Sequence, residues 1–187
     1  MGSYLNLIGS IIIGGIFLMM INNYNNSLSQ TSHERTLDGI TIYHANQISK
    51  LIEYDFNKMG LRVPPSTTII KRADSSQITF LADINNNGAI DSVRYILSIP
   101  DSASGTVNPR DRILYRLVNN EAMRDATLGV TRFRIRYFDW LGNITTDPKL
   151  IRNLEVTLRV ESIVPYDTVY SAFHWQTKIT PPNLARF

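Results

Sequence analysis

Cysteine is absent from the 187 residues, and the first charged side chain is Glu34. Without cysteine the chain has no disulfide framework, no thiolate metal site and no cysteine nucleophile. The formal net charge of +3 is too small to indicate nucleic-acid binding on its own. No G-x-S-x-G, phosphate-binding loop or G-x-G-x-x-G motif occurs, and His33, His44 and His174 have no metal-binding spacing. The sequence therefore predicts a protein that is not an enzyme.

An apolar run extends from Tyr4 to Ile21, and its only strongly polar members are Asn6 and Ser10. As a helix it would be about 27 Å long, close to the roughly 30 Å hydrocarbon thickness of a bilayer. A cleaved signal peptide is the alternative, but it would have Lys or Arg before the run and a small-x-small site after it. The run instead opens with MGSYLN and closes with NNYNNS. We therefore expect residues 1–24 to form a retained transmembrane helix.

Small residues lie inside this run, among them Gly9, Gly14 and Gly15. Small side chains let a second helix backbone approach closely in lipid, although glycine is also simply common in membrane helices, so both interpretations remain open. The glycine pair is the expected point for a bend or local unwinding. The residues that we expect to pack against neighbouring helices are Leu7, Gly9, Ile12, Gly14, Gly15, Phe17 and Met20.

Residues 25–60 have an amphipathic pattern. A mostly apolar stripe recurs at steps of three or four and consists of Leu37, Ile40, His44, Ile48, Leu51, Ile52, Asp55, Phe56 and Met59. Gly60 and Pro64-Pro65 indicate where the helix ends. One helix over residues 3–59 would be about 85 Å long, far more than a head domain needs for its core, so we expect helix partners. Breaks at the Asn-rich residues 22–26 or at Gly39 remain open.

Residues 61–187 change to a pattern of period two, which predicts a β-sheet head domain. Alternation is clearest at 153–160, where apolar and polar residues take turns, as is typical of an antiparallel sheet with one buried face. The distal half of the helix is the expected cover for that face. The predicted fold class is therefore α+β, a long N-terminal helix packed on an antiparallel sheet. The predicted strands are 67–73, 77–83, 91–98, 111–118, 130–139, 151–160 and 168–179.

One loop of the head matches the first nine positions of an EF-hand calcium loop, D-x-N-x-N-G-x-I-D. The candidate calcium ligands are Asp83, Asn85, Asn87 and Asp91. Arg94 stands at the twelfth position, where a bidentate Glu is expected, so any calcium affinity would be weak. The alternative is a plain Asn-Gly hairpin without metal.

A basic strand contains Arg132, Arg134 and Arg136 on one side, followed by the aromatic Tyr137, Phe138 and Trp140. Such a strip could bind single-stranded nucleic acid. The favoured interpretation is a solvated face whose arginines pair with Glu155, Glu161 or Asp139. Trp140 and Trp175 are interpreted as core or interface anchors.

Several segments occur in an order that resembles a known family: YDFNKMGLR at 54–62, FLADINNNGAIDSVRYIL at 80–97, RILYR at 112–116, FRIRYFDWLGN at 133–143 and PPNLAR at 181–186. Together with the apolar N-terminal helix they resemble the minor pilins and pseudopilins of bacterial type IV filament systems, especially the PilW-like and J-type pseudopilin group. The resemblance implies a lollipop-shaped subunit with its helix in a filament core and its sheet on the surface.

The resemblance also implies how such a subunit is used. It would reside in the inner membrane, be extracted by an ATP-driven machine, and form an extracellular filament with copies of itself or with other pilins. Relatives carry Glu at the fifth position of the mature helix, where Leu5 stands here, so we expect packing and Asn6 to set the helix register. The alternative function is a membrane-anchored module that binds calcium, glycan or DNA and does not polymerise.

Overall fold

The computed structural model describes residues 2–99, 105–122, 127–165 and 168–184. One long helix, α1, spans Gly2–Asn57, and an antiparallel sheet follows it. The strands are β1 Ile70–Ala73, β2 Gln77–Ala82, β3 Asp91–Leu97, β4 Arg112–Val118, β5 Glu121–Ala122, β6 Thr127–Phe138, β7 Asn153–Glu161 and β8 Ala172–Ile179. The α+β class and the helix-on-sheet arrangement expected from the sequence are confirmed.

The helix α1 is continuous through its 56 residues, about 84 Å. It is not interrupted at Gly14-Gly15, at residues 22–26 or at Gly39. A glycine costs only about 1 kcal/mol of helix propensity, and a break would also leave backbone groups without their partners. The chain then turns at Gly60, whose φ of +80° suits glycine and whose amide donates to the Leu81 carbonyl at 2.9 Å. A Cβ at Gly60 would lie 2.7 Å from the buried Ile69 side chain, so a larger residue would have to displace that side chain.

The strands follow one another across the sheet in the order β1-β2-β3-β4-β6-β7-β8, and every pair is antiparallel. The short β5 pairs with β4 and was not predicted from the sequence. Asn119 and Asn120 connect β4 to β5 with φ of 52° and 70°, the conformation of a two-residue hairpin turn. The seven predicted strands agree with the observed ones to within a few residues.

The sheet opens between β4 and β6. These strands pair only where Arg112 lies opposite Val130 and Leu114 opposite Thr127. Farther along β6, the amide of Ile135 donates to the carbonyl of Ser75 in the β1–β2 turn at 2.8 Å. The Tyr137 hydroxyl donates to the Asp74 carbonyl in the same turn at 2.7 Å. The β1–β2 turn therefore bonds to a part of β6 that has no partner on β4.

The distal half of α1 packs on one face of the sheet, and β8 runs in the same direction as the helix. Asp38 accepts a hydrogen bond from Ser171 just before β8, and Gly60 lies beside Asn183 just after it. The buried residues of the helix and of the turn that follows it are Thr41, Ala45, Ile48, Ser49, Ile52, Asp55, Phe56 and Met59.

The predicted stripe is correct from Ile48 onward and shifted at its start. Ile40 is 51% exposed and His44 is exposed, whereas Thr41 and Ala45 are buried. The small side chains of Thr41 and Ala45 leave room for the sheet to come close to the helix. Hydrophobic periodicity did not predict their burial, because it selects the larger apolar residues. At the other end Phe56 makes edge-on contacts with Phe80 at 5.7 Å and with Tyr95 at 5.5 Å between ring centroids.

A buried carboxylate fixes α1 on the sheet. Asp55 is fully buried and accepts a hydrogen bond from the Tyr95 hydroxyl at 2.5 Å. Arg116 of β4 donates to both Asp55 oxygens, from Nε at 2.5 Å and from a terminal nitrogen at 3.1 Å. Burial, and then the adjacent carboxylate, raise the pKa of Tyr95 well above its ordinary value. Burial alone would lower the pKa of Arg116, but its hydrogen bonds and attraction to Asp55 raise it.

Replacing Arg116 by Met is expected to destabilise the head by about 3–5 kcal/mol, because Asp55 stays buried without its cation. The matched control is Arg136→Met, which breaks a more exposed pair with Glu155 and should cost about 1 kcal/mol or less. Urea unfolding in detergent micelles, followed by tryptophan fluorescence, measures both. Equal losses for the two variants would contradict the role given to Asp55.

Burial, with a contribution from Asp74, raises the pKa of Tyr137 far above its ordinary value. The unfolded tyrosine releases its proton near pH 10, while the folded one keeps it. Stability from Tyr137 is therefore complete below about pH 10 and decreases as the pH rises further. Tyr137→Phe should make the decline of unfolding free energy above pH 10 shallower by up to about 1.4 kcal/mol per pH unit. The exposed Tyr43→Phe is the control, and identical slopes for Tyr137→Phe and wild type would refute the assignment.

Candidate functional site

The proximal half of α1 projects from the head. Among the side chains described from Gly2 to Thr36, all but Gly9 are exposed. The helix is long and apolar enough to cross a membrane, and none of its most apolar 18-residue window is buried in the structure. A helix that is apolar on all sides is stable only in lipid or among other protein segments. This half of the helix is therefore the first candidate interaction surface.

All seven predicted packing residues lie in this projecting half. Leu7, Ile12, Phe17 and Met20 are between 56% and 63% exposed. A Cβ placed on Gly9, Gly14 or Gly15 would meet nothing within 4 Å. The glycines therefore have no packing role within the described part of a single chain. The side chain of Leu5, where relatives of the resembled family carry Glu, lies outside the described residues.

The four candidate calcium ligands lie in the β2–β3 loop, where Asp83 is the buried centre. Its Oδ1 accepts a hydrogen bond from the amide of Asn87 at 3.0 Å, and its Oδ2 accepts one from the amide of Gly88 at 3.0 Å. Oδ2 also pairs with the guanidinium of Arg62 at 2.9 Å. Gly88 has a φ of +89°, which favours glycine at this turn.

The other three candidate ligands are also bonded within the chain. Asn85 Oδ1 accepts from the amide of Asn87 at 3.1 Å, and Asn87 Oδ1 accepts from the amide of Ala89 at 2.8 Å. Asp91 Oδ1 accepts from the side-chain amide of Asn119 at 2.7 Å. The hydrogen bonds that the plain hairpin needs are thus present.

Lys58, near the end of the helix, supplies a second cation to the loop. Its Nζ lies 2.8 Å from the Ile84 carbonyl oxygen, 3.2 Å from Asn86 Oδ1 and 4.3 Å from the Tyr54 ring centroid. Calcium prefers six to eight oxygen ligands, so an ion here would compete with Lys58 and Arg62 for them. The calcium site stays a prediction.

The basic strand is divided between paired and unpaired arginines. Arg136 pairs with Glu155, as the favoured interpretation expected. Arg159 of the neighbouring strand pairs with Glu161 at 2.9 Å. Within the described ranges, Arg132 and Arg134 have no acidic partner within 4.0 Å.

Asp139 does not pair with these arginines, because its carboxylate is hydrogen-bonded within the turn that follows β6. It accepts hydrogen bonds from the backbone and side-chain nitrogens of Asn143 at 2.8 and 3.2 Å. Desolvation by itself would raise the pKa of Asp139, but these bonds lower it below its ordinary value. Trp140 in the same turn is 77% exposed, whereas Trp175 packs partly buried against the core.

The described residues include no group of three or more His, Cys, Asp or Glu placed to hold a metal ion. His33 and His44 lie on α1 and His174 lies on β8, and none of them belongs to such a group. Sequence reasoning missed the pairing of Asp55 with Arg116. A signal was present, since Asp55 interrupts an apolar helix stripe and Arg116 shares its face of β4 with the apolar Leu114 and Val118.

Comparison of the chain with models of known protein families, with curated proteins and with solved structures gives no match. The architecture, one long apolar N-terminal helix on an antiparallel sheet, is pilin-like. The function therefore has to be argued from the geometry of this chain.

The β2–β3 loop is expected to keep its conformation without calcium, because Lys58 and Arg62 already neutralise its oxygens. Addition of a calcium chelator should leave the thermal unfolding midpoint unchanged. Arg62→Gln should lower that midpoint, while Arg72→Gln, which breaks an exposed pair with Asp74, is the control. A midpoint that falls with chelator and recovers with added calcium would contradict this expectation and support a metal-held loop.

Proposed function

We propose that the protein is a structural subunit of an extracellular type IV-pilus-like filament. In this proposal the projecting half of α1 lies in the inner membrane before assembly and among helices of other subunits afterwards. The observation that carries the proposal is the division of one continuous helix into an exposed apolar half and a half that is fixed in the head. Copies of this chain, alone or with other pilins, are the partners.

The energy of the exposed apolar side chains supports burial of the projecting half. Burying one large apolar side chain stabilises by about 1.5–3 kcal/mol, so full burial of the twelve exposed large apolar side chains described from Tyr4 to Ile21 would contribute roughly 18–36 kcal/mol. The side chains concerned are Tyr4, Leu7, Ile8, Ile11, Ile12, Ile13, Ile16, Phe17, Leu18, Met19, Met20 and Ile21. Lipid can provide that environment for a single subunit, and neighbouring helices can provide it in a filament.

The length of the projecting half favours a filament over a simple membrane anchor. A spanning helix needs about 20 residues. Here the exposed helix continues beyond Ile21 to Thr36, and Tyr24 and Leu28 in that stretch are 66% and 50% exposed. A bundle of staggered helices would use this additional length, whereas an anchor alone would not need it.

The rigid connection between the two halves also supports assembly. Because α1 has no break, the packing of Asp55 and Phe56 in the head fixes the direction of the projecting half. Identical subunits with a fixed angle between head and helix can repeat by one screw operation, and a heterologous contact that does not close produces a filament.

The glycines of the projecting half provide a test that separates a filament from an anchored monomer. Gly14→Leu should leave membrane insertion intact, because leucine is favourable in a membrane helix. The larger side chain should prevent close helix approach and reduce the yield of filaments at least about tenfold, a loss of roughly 1.4 kcal/mol per contact. Electron microscopy and immunoblotting of material sheared from the cell surface measure that yield.

Ile13→Leu is the matched control, because it keeps an apolar side chain of equal size at the adjacent position, and it should assemble normally. Deleting residues 1–24 should give a head domain that is monomeric in solution. Sheared preparations of the wild type without fibres that contain this chain would contradict the proposed function. Fibres formed by the chain that lacks residues 1–24 would also contradict it.

A further inference from the structure

The head carries a basic cleft that the filament proposal does not use. The cleft has a volume of about 360 Å³ and is lined by Pro109, Arg110, Arg112, Thr131, Arg132, Arg159 and Glu161. It lies where β4 and β6 separate. Two irregularities of register lie beside it, one in the β4–β6 pairing between Arg112 and Leu114 and one in the β6–β7 pairing between Val130 and Arg132. Bulges of this kind redirect side chains and are frequent beside binding sites.

The backbone beside the cleft is fixed by a close contact between strands. Gly129 has a φ of +86°, and a Cβ there would lie 2.8 Å from the Glu161 carbonyl oxygen. The Gly129 amide donates to Oδ1 of the buried Asp111 at 2.7 Å. Only glycine fits this approach, so the bulge has a defined position.

A buried carboxylate orients two of the four arginines. Glu161 is buried, and its Oε2 accepts hydrogen bonds from Arg110 Nε at 3.0 Å and from the Asn108 side chain at 3.1 Å. Its Oε1 pairs with Arg159 Nε at 2.9 Å. Arg110 also lies 5.2 Å from the centroid of the Tyr170 ring. These contacts restrict both guanidinium groups before any ligand arrives.

The other two arginines have no neutralising partner in the described part of the chain. Neither Arg112 nor Arg132 has an acidic group within 4.0 Å among those residues. Thr131 also lines the cleft, and its hydroxyl is buried without a hydrogen-bond partner among the described residues. The four arginines carry four positive charges. Glu161 and the neighbouring Asp111 balance two of them, so two positive charges remain in excess. A cleft with one sign of charge concentrates counter-ions.

We propose that this cleft binds a phosphate group through Arg112 and Arg132, with Arg110 and Arg159 held in place by Glu161. Guanidinium groups match the tetrahedral oxyanion with paired hydrogen bonds. The phosphate comes either from the free anion or from the backbone of a nucleic-acid strand. Arg134 favours the strand, because it is exposed on the same face of β6 as Arg132 and, among the described residues, lacks an acidic partner.

The test uses the full chain in non-ionic detergent with two probes, inorganic phosphate and a labelled single-stranded oligonucleotide of about 12 nucleotides. Calorimetry measures the first and fluorescence anisotropy the second. The double variant Arg112→Gln with Arg132→Gln should weaken binding of the probe at least about tenfold. Arg72→Gln, which removes one exposed arginine on β1, is the control and should leave binding within about twofold. Circular dichroism verifies that each variant is folded.

The two probes distinguish the sources of the phosphate. If the oligonucleotide binds, the double variant should reduce the salt slope of its affinity by about 1.4, the value for two single-strand phosphate contacts. Binding of inorganic phosphate alone, lost in the double variant, supports the cleft as a site for a free anion. Should the double variant misfold, Arg132→Lys replaces it, with weaker binding expected because the forked guanidinium is lost. No binding of either probe, or equal loss in Arg72→Gln, would overturn the proposal.

Discussion

The packing of one face of α1 against the sheet is the interaction on which the rest of the structure depends. Ala45, Ile48, Ile52 and Phe56 of this face are almost completely buried. Since α1 continues without a break, this contact also directs about 50 Å of helix that no other described part of the head supports. Without this contact the head would no longer fix the direction of the projecting half of the helix.

Asp55 gives that packing its specificity. Apolar contacts alone tolerate sliding of a helix on a sheet, because they have little direction. Asp55 bonds to Tyr95 of β3 and Arg116 of β4, so a shift of one turn would leave a buried carboxylate without a cation. Breaking a buried ion pair in this way costs about 3–5 kcal/mol, in addition to the apolar contacts that the shift would disturb. The polar cluster therefore determines where the helix stops on the sheet.

The two faces of the sheet differ in polarity and in what covers them. One face is apolar and covered by α1, and the opposite face carries charged side chains, of which Arg136, Glu155 and Arg159 form ion pairs. Helix contacts of the projecting half and ligand contacts of the basic cleft consequently use separate surfaces. Arg132, Arg134 and Arg159 on the outer face of β6 and β7 are exposed in the single chain, where a soluble anion can reach them.

The sequence by itself determined the elements, because their signals are local. Hydrophobic periodicity and Asn, Gly and Pro clusters predicted the apolar helix, its end near Gly60 and seven of the strands. Tertiary structure decided which side chains meet across long separations, since such pairs depend on strand order, register and bulges. It buried Thr41 and Ala45 in place of Ile40 and His44, paired Asp55 with Arg116, and gathered arginines of β6 and β7 with those at the start of β4 into one cleft. Periodicity identifies the face on which a residue lies, but not the partner that faces it.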